Sequence, residues 1–240
     1  MNYRKIVTCG AIFLTAGVVN AQSTVGGTFK SEVEVKGDVK QTTTGDDNTQ
    51  NMDVGSVKSG RVDGNFFSNV EIKGDVKQNA NGTGNIQNMA VGSVVEGRAG
   101  AFKSDVETGS IKQNVGSGDR NTQTLGVGSV QGGNVDRFQS EVKTGALSQT
   151  VTSGNDNKQT ALIGSTQNAT ISGLADTKVT VGGKVNQNIS GSNNTQELLL
   201  GSAKDSSATN FKSEVTVKGG VTQSATGNGH NQRATFGSMR

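Results

Sequence analysis

The sequence predicts an all-β protein, a β-solenoid of six stacked strand–arch–strand repeats of about 36 residues. Three observations predict it. First, a motif opening on Phe recurs at Phe29, Phe66, Phe102, Phe138 and Phe211, and a further copy over 174–210 lacks only the Phe. Second, apolar or amide residues alternate with charged ones at a period of two, which is the strand signature. Third, the 240 residues hold 35 Gly but no Pro, where an average chain of this length carries about a dozen Pro. A composition rich in Gly, Ser, Asn and Gln alone suggests a disordered linker. The absence of Pro argues the other way, because a β-ladder needs every backbone N–H.

The chain divides as follows. Residues 1–21 read as a secretory signal peptide: Arg4 and Lys5 form a basic start, Ile6–Val19 an apolar stretch, and Val19-Asn20-Ala21 the small residues before a cleavage site. The stretch is shorter than the roughly 20 residues of a membrane span. Residues 22–28 form a short lead, and 29–240 the solenoid, with repeats at 29–65, 66–101, 102–137, 138–173, 174–210 and 211–240. The single cysteine is Cys9 in the leader, so the mature chain has no disulfide to stabilise it. The chain carries 23 basic and 20 acidic side chains for a net charge of +3, and Arg4 and Lys5 account for two of these charges. The mature chain is thus nearly neutral and has no basic patch of the kind that nucleic-acid binding requires.

Within the first repeat, Phe29, Ser31, Val33, Val35, Gly37, Val39 and Gln41 fall on one face of a strand. Lys30, Glu32, Glu34, Lys36, Asp38 and Lys40 fall on the other, which must meet water. Thr44-Gly45-Asp46-Asp47 supplies the turn chemistry of an arch. A second run then places Asn48, Gln50, Met52 and Val54 on its inner face before Gly55-Ser56 interrupts it. Folding the repeat about the arch sets Gln41 opposite Gln50, Val39 opposite Met52, and Gly37 across from Val54-Gly55.

Stacking the copies makes columns. The amide pairs are Gln41/Gln50, Gln78/Gln87, Gln113/Gln123, Gln149/Gln159, Gln187/Gln196 and Gln223/Gln232. Asn48, Asn85, Asn121, Asn157 and Asn194 form a further amide column, with His230 standing in the last copy. The apolar columns are Phe29, Phe66, Phe102, Phe138 and Phe211, and Val39, Val76, Ile111, Leu147, Val185 and Val221. At a strand spacing of about 4.8 Å, six rungs make a body roughly 25–30 Å tall. Buried amides without partners are costly. A ladder along the column satisfies donor and acceptor, so stacking and assembly are linked.

In the order Gln41, Gly45, Asn48, Gln50, repeated as Gln78, Gly82, Asn85, Gln87, the chain resembles the bacterial functional amyloids of the curlin class, and more loosely the Fap fibre subunits. The resemblance runs through residues 29–240. It implies an extracellular, curli-like fibre subunit of a biofilm matrix or adhesive surface. It also implies a dedicated secretion pore and a nucleator or anchor subunit as partners.

The residues carry no sign of catalysis. His230 is the only histidine, whereas zinc sites need several His or Cys ligands and a nucleophile needs a positioned base. Asp and Glu recur on the outer face of every copy, unlike a unique active site. The expectation is therefore no enzyme, no cofactor, no metal, no nucleic-acid partner and no membrane insertion once the leader is removed. The expected function is a secreted homopolymer, with both end rungs open to the next subunit. The rival is a monomeric β-solenoid adhesin that binds a surface through its outer face.

Overall fold

The computed structural model describes residues 3–8, 24–44, 49–81, 85–116, 120–151, 153, 156–191, 193–227 and 229–239. Asn48 and most of the arch residues lie outside this set. Every described element is a strand, and every pairing between strands is parallel. The chain forms a β-solenoid of about five turns with a spacing of about 36 residues.

One turn passes through four sheets. In the second repeat, Phe66–Ile72 belongs to the first sheet, Val76–Asn81 to the second, Ile86–Val91 to the third and Val94–Val95 to the fourth. The next turn re-enters the first sheet with Arg98–Thr108. The second and third sheets have six strands and the fourth has five. Registers match the sequence columns: Phe102 pairs with Phe66 and Phe138, and Ile111 with Val76 and Leu147.

Two features differ from the hairpin-like rung that alternation suggests. First, the fourth sheet closes each rung into a complete coil. Second, the coil is pinched, and the pinch parts its two main apolar compartments; a third, small cluster of Val115, Val151 and Ile189 lies at the ends of the second-sheet strands. The larger compartment holds Val70, Ile72, Val76, Met89 and Val91 and their counterparts. The smaller one holds the Phe column with Val57, Val94, Val130, Val62, Ala99 and Val135. The pinch is the Gly-Ser pair. At Gly92 (φ 55°) an added Cβ would meet Ser104 Oγ at 2.7 Å and Val106 Cγ2 at 2.8 Å. Only a residue without a side chain fits this left-handed, close approach. Gly55 therefore lies against Ser31 and Ser68 in the first sheet, not across from Gly37. Ser68 Oγ donates to the Gly55 carbonyl at 2.7 Å and Ser104 Oγ to the Gly92 carbonyl at 2.8 Å.

The ends also differ from expectation. At the N-terminal edge, Tyr3–Thr8 adds a parallel strand to Phe29–Val35, with Ile6 beside Val33 and Thr8 beside Val35. This segment, placed in a signal peptide by the sequence, is β-capable and covers the edge of the first sheet. At the other end, Ser207–Val217, Val221–Thr226 and Asn231–Phe236 are edge strands among the described residues.

Gly92→Ala is expected to lower stability by about 1–3 kcal/mol, the cost of overpacking a tight site. Gly126 has no neighbour nearer than 3.6 Å to an added Cβ. Gly126→Ala should leave the thermal midpoint near that of the parent. Equal midpoints for both variants would contradict the pinch.

Candidate functional site

The candidate site is the set of columns and the faces on which they end. The Phe side chains stack as a continuous run over four rungs. Ring centroids lie 5.3 Å apart for Phe29–Phe66, 5.0 Å for Phe66–Phe102 and 5.6 Å for Phe102–Phe138. The register then sets Ala175 beside Phe138, and Phe211 beside Ala175. The fifth copy has no Phe, so the ring stack ends there, and a register shift after Ile171 puts Ala175 and not Leu174 in the column. The Val39, Val76, Ile111, Leu147, Val185, Val221 column runs unbroken.

The first amide column is a directional ladder. Gln78 Nε2 donates to Gln41 Oε1 at 2.9 Å, Gln113 to Gln78 at 2.9 Å and Gln149 to Gln113 at 2.9 Å. Gln187 donates to Gln149 and Gln223 to Gln187, each at 2.7 Å. The same nitrogens reach across the core to the facing strand of their own rung: Gln113 to Thr124 O at 3.2 Å and Gln149 to Thr160 O at 3.1 Å. Each first-column amide in the body therefore uses both donors and its acceptor.

The second column is built differently. Gln87 Nε2 donates to Asn114 O at 2.9 Å, Gln123 to Thr150 O at 3.2 Å and Gln196 to Ser224 O at 2.8 Å. Each acceptor lies one repeat further along, so these amides bolt a rung to the facing strand of the next. Gln50 does the same through Asn79 O at 2.6 Å and Gln159 through Asn188 O at 3.2 Å. The carbonyl oxygens of Gln87, Gln123, Gln159 and Gln196 are buried without a partner. No amide–amide bond joins these four, contrary to the ladder that the sequence suggests. Gln232, in the last copy, is exposed.

The asparagine column is a ladder through Asn121 to Asn85 (3.1 Å), Asn157 to Asn121 and Asn194 to Asn157 (both 2.8 Å). It stops there: Asn194 Oδ1 is buried without a partner and His230 is exposed. His230 thus does not extend the ladder within one chain.

Sequence reasoning missed two further columns. The serine of each Gly-Ser pinch accepts the N–H of its counterpart: Ser93 N donates to Ser56 Oγ at 3.1 Å and Ser202 N to Ser165 Oγ at 3.1 Å. The invariance of Gly-Ser across copies was the signal. At the corner between the first two sheets, Asp75 N donates to Asp38 Oδ1 and Ser110 N to Asp75 Oδ1, both at 2.9 Å. The Asp75 N–H, with Lys40 beside it, holds the Asp38 carboxyl down at about 2. The Ser110 N–H and Lys77 likewise lower Asp75.

Outside the coil, the third and fourth sheets meet in a groove of about 340 Å³ lined by Asp53, Lys58, Ala90, Gly126, Gln131 and Asn168. Asp53 and Lys58 close one end at 3.7 Å. Burial raises the Asp53 carboxyl above its usual range, and Lys58 opposes this. Further along the same column Leu162 and Leu199 are buried, under the contact of Lys204 Nζ with Glu197 Oε1 at 2.7 Å.

Comparison of the chain with protein-family models, curated proteins and solved structures finds no match.

Two outcomes check this geometry. Gln113→Leu strands the Gln149 donor and the Gln78 acceptor, at about 1–3 kcal/mol per orphaned group. Gln123→Leu strands only a backbone carbonyl and removes a buried orphan oxygen. Urea unfolding should show the first variant clearly less stable than the second. Acidification provides the other check. A depressed carboxyl contributes stability above its ordinary value, and this is lost as pH falls through the folded value. Intrinsic-rate-corrected hydrogen exchange at the Asp75 amide should be protected at pH 5 and lose protection as pH falls toward about 2, where Asp38 protonates. Unchanged protection would refute the corner bond.

Proposed function

We propose that this chain is a secreted structural subunit that assembles, copy upon copy, into extracellular amyloid-like fibres of a biofilm matrix or adhesive surface. It would be exported as a precursor through a dedicated pore and started by a nucleator or anchor subunit. The supporting observation is how the columns end. In rungs two to five the inward residues are buried, whereas in the sixth Val221 is 40% exposed and Phe236 39%. Met239, just beyond, is 47% exposed. These side chains continue columns that are buried everywhere else, and the surface that would bury them has the shape of another rung. Apolar burial at roughly 25 cal/mol per Å² favours covering them. The strands there also carry unpaired edge groups, which templates further pairing. On the outer face, Lys and Asp or Glu alternate and pair, as in Lys143–Glu141 at 3.0 Å. Mixed charge of this kind limits sideways adhesion between fibres.

The test is concentration-dependent assembly. The purified chain should form filaments that bind thioflavin T and that seeds extend without a lag. A chain that remains monomeric in sedimentation at all concentrations would favour the monomeric surface-binding solenoid instead.

A sharper outcome follows at one backbone group. Val39 N donates to Asp75 O at 2.9 Å and Val185 N to Gly220 O at 3.0 Å. The amide of this column therefore always points to the following rung. Val221 N has no following rung among the described residues. Val221→Pro removes that donor without removing an inter-rung bond of the single chain. It should leave the β-sheet circular dichroism intact and slow filament extension at least tenfold. Extension at the parent rate would show that this edge is not used.

A further inference from the structure

We infer that the subunits join with one polarity, the C-terminal rung of one copy against the N-terminal rung of a second copy, in register. The inference rests on the fibre reading and adds the direction and the groups that make the joint.

The direction is written into bonds that repeat up the body. Four kinds recur, and each has a donor side and an acceptor side. The backbone amide at the Val39 position donates to the carbonyl preceding its counterpart in the next rung, as from Val76 to Ser110 and from Ile111 to Ala146. The pinch glycine donates the other way, from Gly92 to Val54 O and from Gly237 to Leu200 O. The first-column amide of each rung donates to the rung before it, ending with Gln223 on Gln187. The pinch serine N–H also donates to the rung before it, ending with Ser238 on Ser202 at 3.4 Å.

The last rung therefore presents the Val221 N–H as donor, and Phe236 O, Gln223 Oε1 and Ser238 Oγ as acceptors. The first rung supplies the complements: Asp38 O as acceptor, and Gly55 N–H, Gln41 Nε2 and Ser56 N–H as donors. All four match when one copy follows another in the same sense. Turning one copy over reverses its strands, which loses the parallel register found at every rung and sets acceptor columns against acceptor columns. The apolar columns agree with this sense, because Phe211 then meets Phe29 and Val221 meets Val39. Outside, the same joint sets Lys212 over Lys30 and Glu214 over Glu32. The body already tolerates such stacking, since Glu34, Glu71 and Glu107 are in register. Salt screens these contacts, so joining should be faster at higher ionic strength. Tyr3–Thr8 occupies the first-sheet part of the receiving edge and must leave it, by displacement or with the leader, for the joint to close there.

Spin-label distances test the polarity. With Cys9→Ser throughout, labels go on exposed outer positions as Thr222→Cys in one preparation and Lys40→Cys in another. Lys112→Cys, mid-body, controls for the label. Filaments are grown from the full chain and from a chain cut after Ala21; filaments from either suffice. Polar joining predicts that position 222 lies about 29 Å from its own copy in the next subunit, six rungs of about 4.8 Å. It also predicts a new distance below about 15 Å, label arms included, when copies labelled at 222 and at 40 are mixed. A short distance between two 222 labels, or filaments whose mixed sample lacks the short distance, overturns the polarity and leaves the fibre reading standing. Absence of filaments from both chains overturns both.

Discussion

The structure depends on axial hydrogen bonding between like residues. An amide buried in an apolar core costs more than the core returns unless its donors and acceptor are used. Gln113 meets that condition with Gln78 below, Gln149 above and the Thr124 carbonyl across the coil. None of these partners could be replaced by water in so closed a space. One rung alone cannot meet the condition, so the smallest stable unit is several rungs. The first-column Gln recurs in every copy, while the apolar seats exchange Val, Ile and Leu, and the outer face varies among Lys, Glu, Asp, Asn and Thr. An outer residue needs only solvent, but a first-column Gln needs another Gln at the next level.

The backbone carries a matching constraint. Parallel, in-register pairing keeps each residue beside its counterpart, and the coil must return to its starting point one strand higher after each repeat. The Gly-Ser pinch makes this possible. It turns the chain sharply enough for Val94–Val95 to form a fourth wall, and it divides a cross-section too wide for one layer of side chains into two that Val, Met and Phe can fill. The serines that line the pinch take over the polar groups exposed there. The glycine and the serine are therefore parts of one device, which supplies curvature and satisfies the backbone at the curve.

Much of this was legible in the sequence. The period-two alternation and the recurrence of Phe29, Phe66 and Phe102 correctly gave strands, stacking and register, because side chains in a regular strand alternate faces. The first Gln ladder and most of the Asn ladder were legible for the same reason. The fourth sheet was not, since a two-residue strand such as Val94–Val95 shows no alternation. The second Gln column was misread because alternation fixes the face but not the height. Gln87 sits at a level from which its nitrogen reaches Asn114 in the next repeat. The missing Phe of the fifth copy was legible, but not that Ala175 takes its seat, because a one-residue difference in the approach to the strand shows only in the register. Tyr3–Thr8 was read as part of a signal peptide and not for its capacity to pair.

The closure of the coil within a single repeat has a consequence at the level of genes. Because each turn ends directly above its own beginning, excising or duplicating one whole copy leaves all remaining columns in phase, and the new neighbours meet through the same contacts as the old. A partial loss throws one side of the body out of step and orphans its amides. Unequal crossing-over between such similar segments would therefore yield shorter and longer proteins that still fold, provided that it respects the period. Chain length is then a quantity that selection can adjust in whole steps, without inventing a new contact.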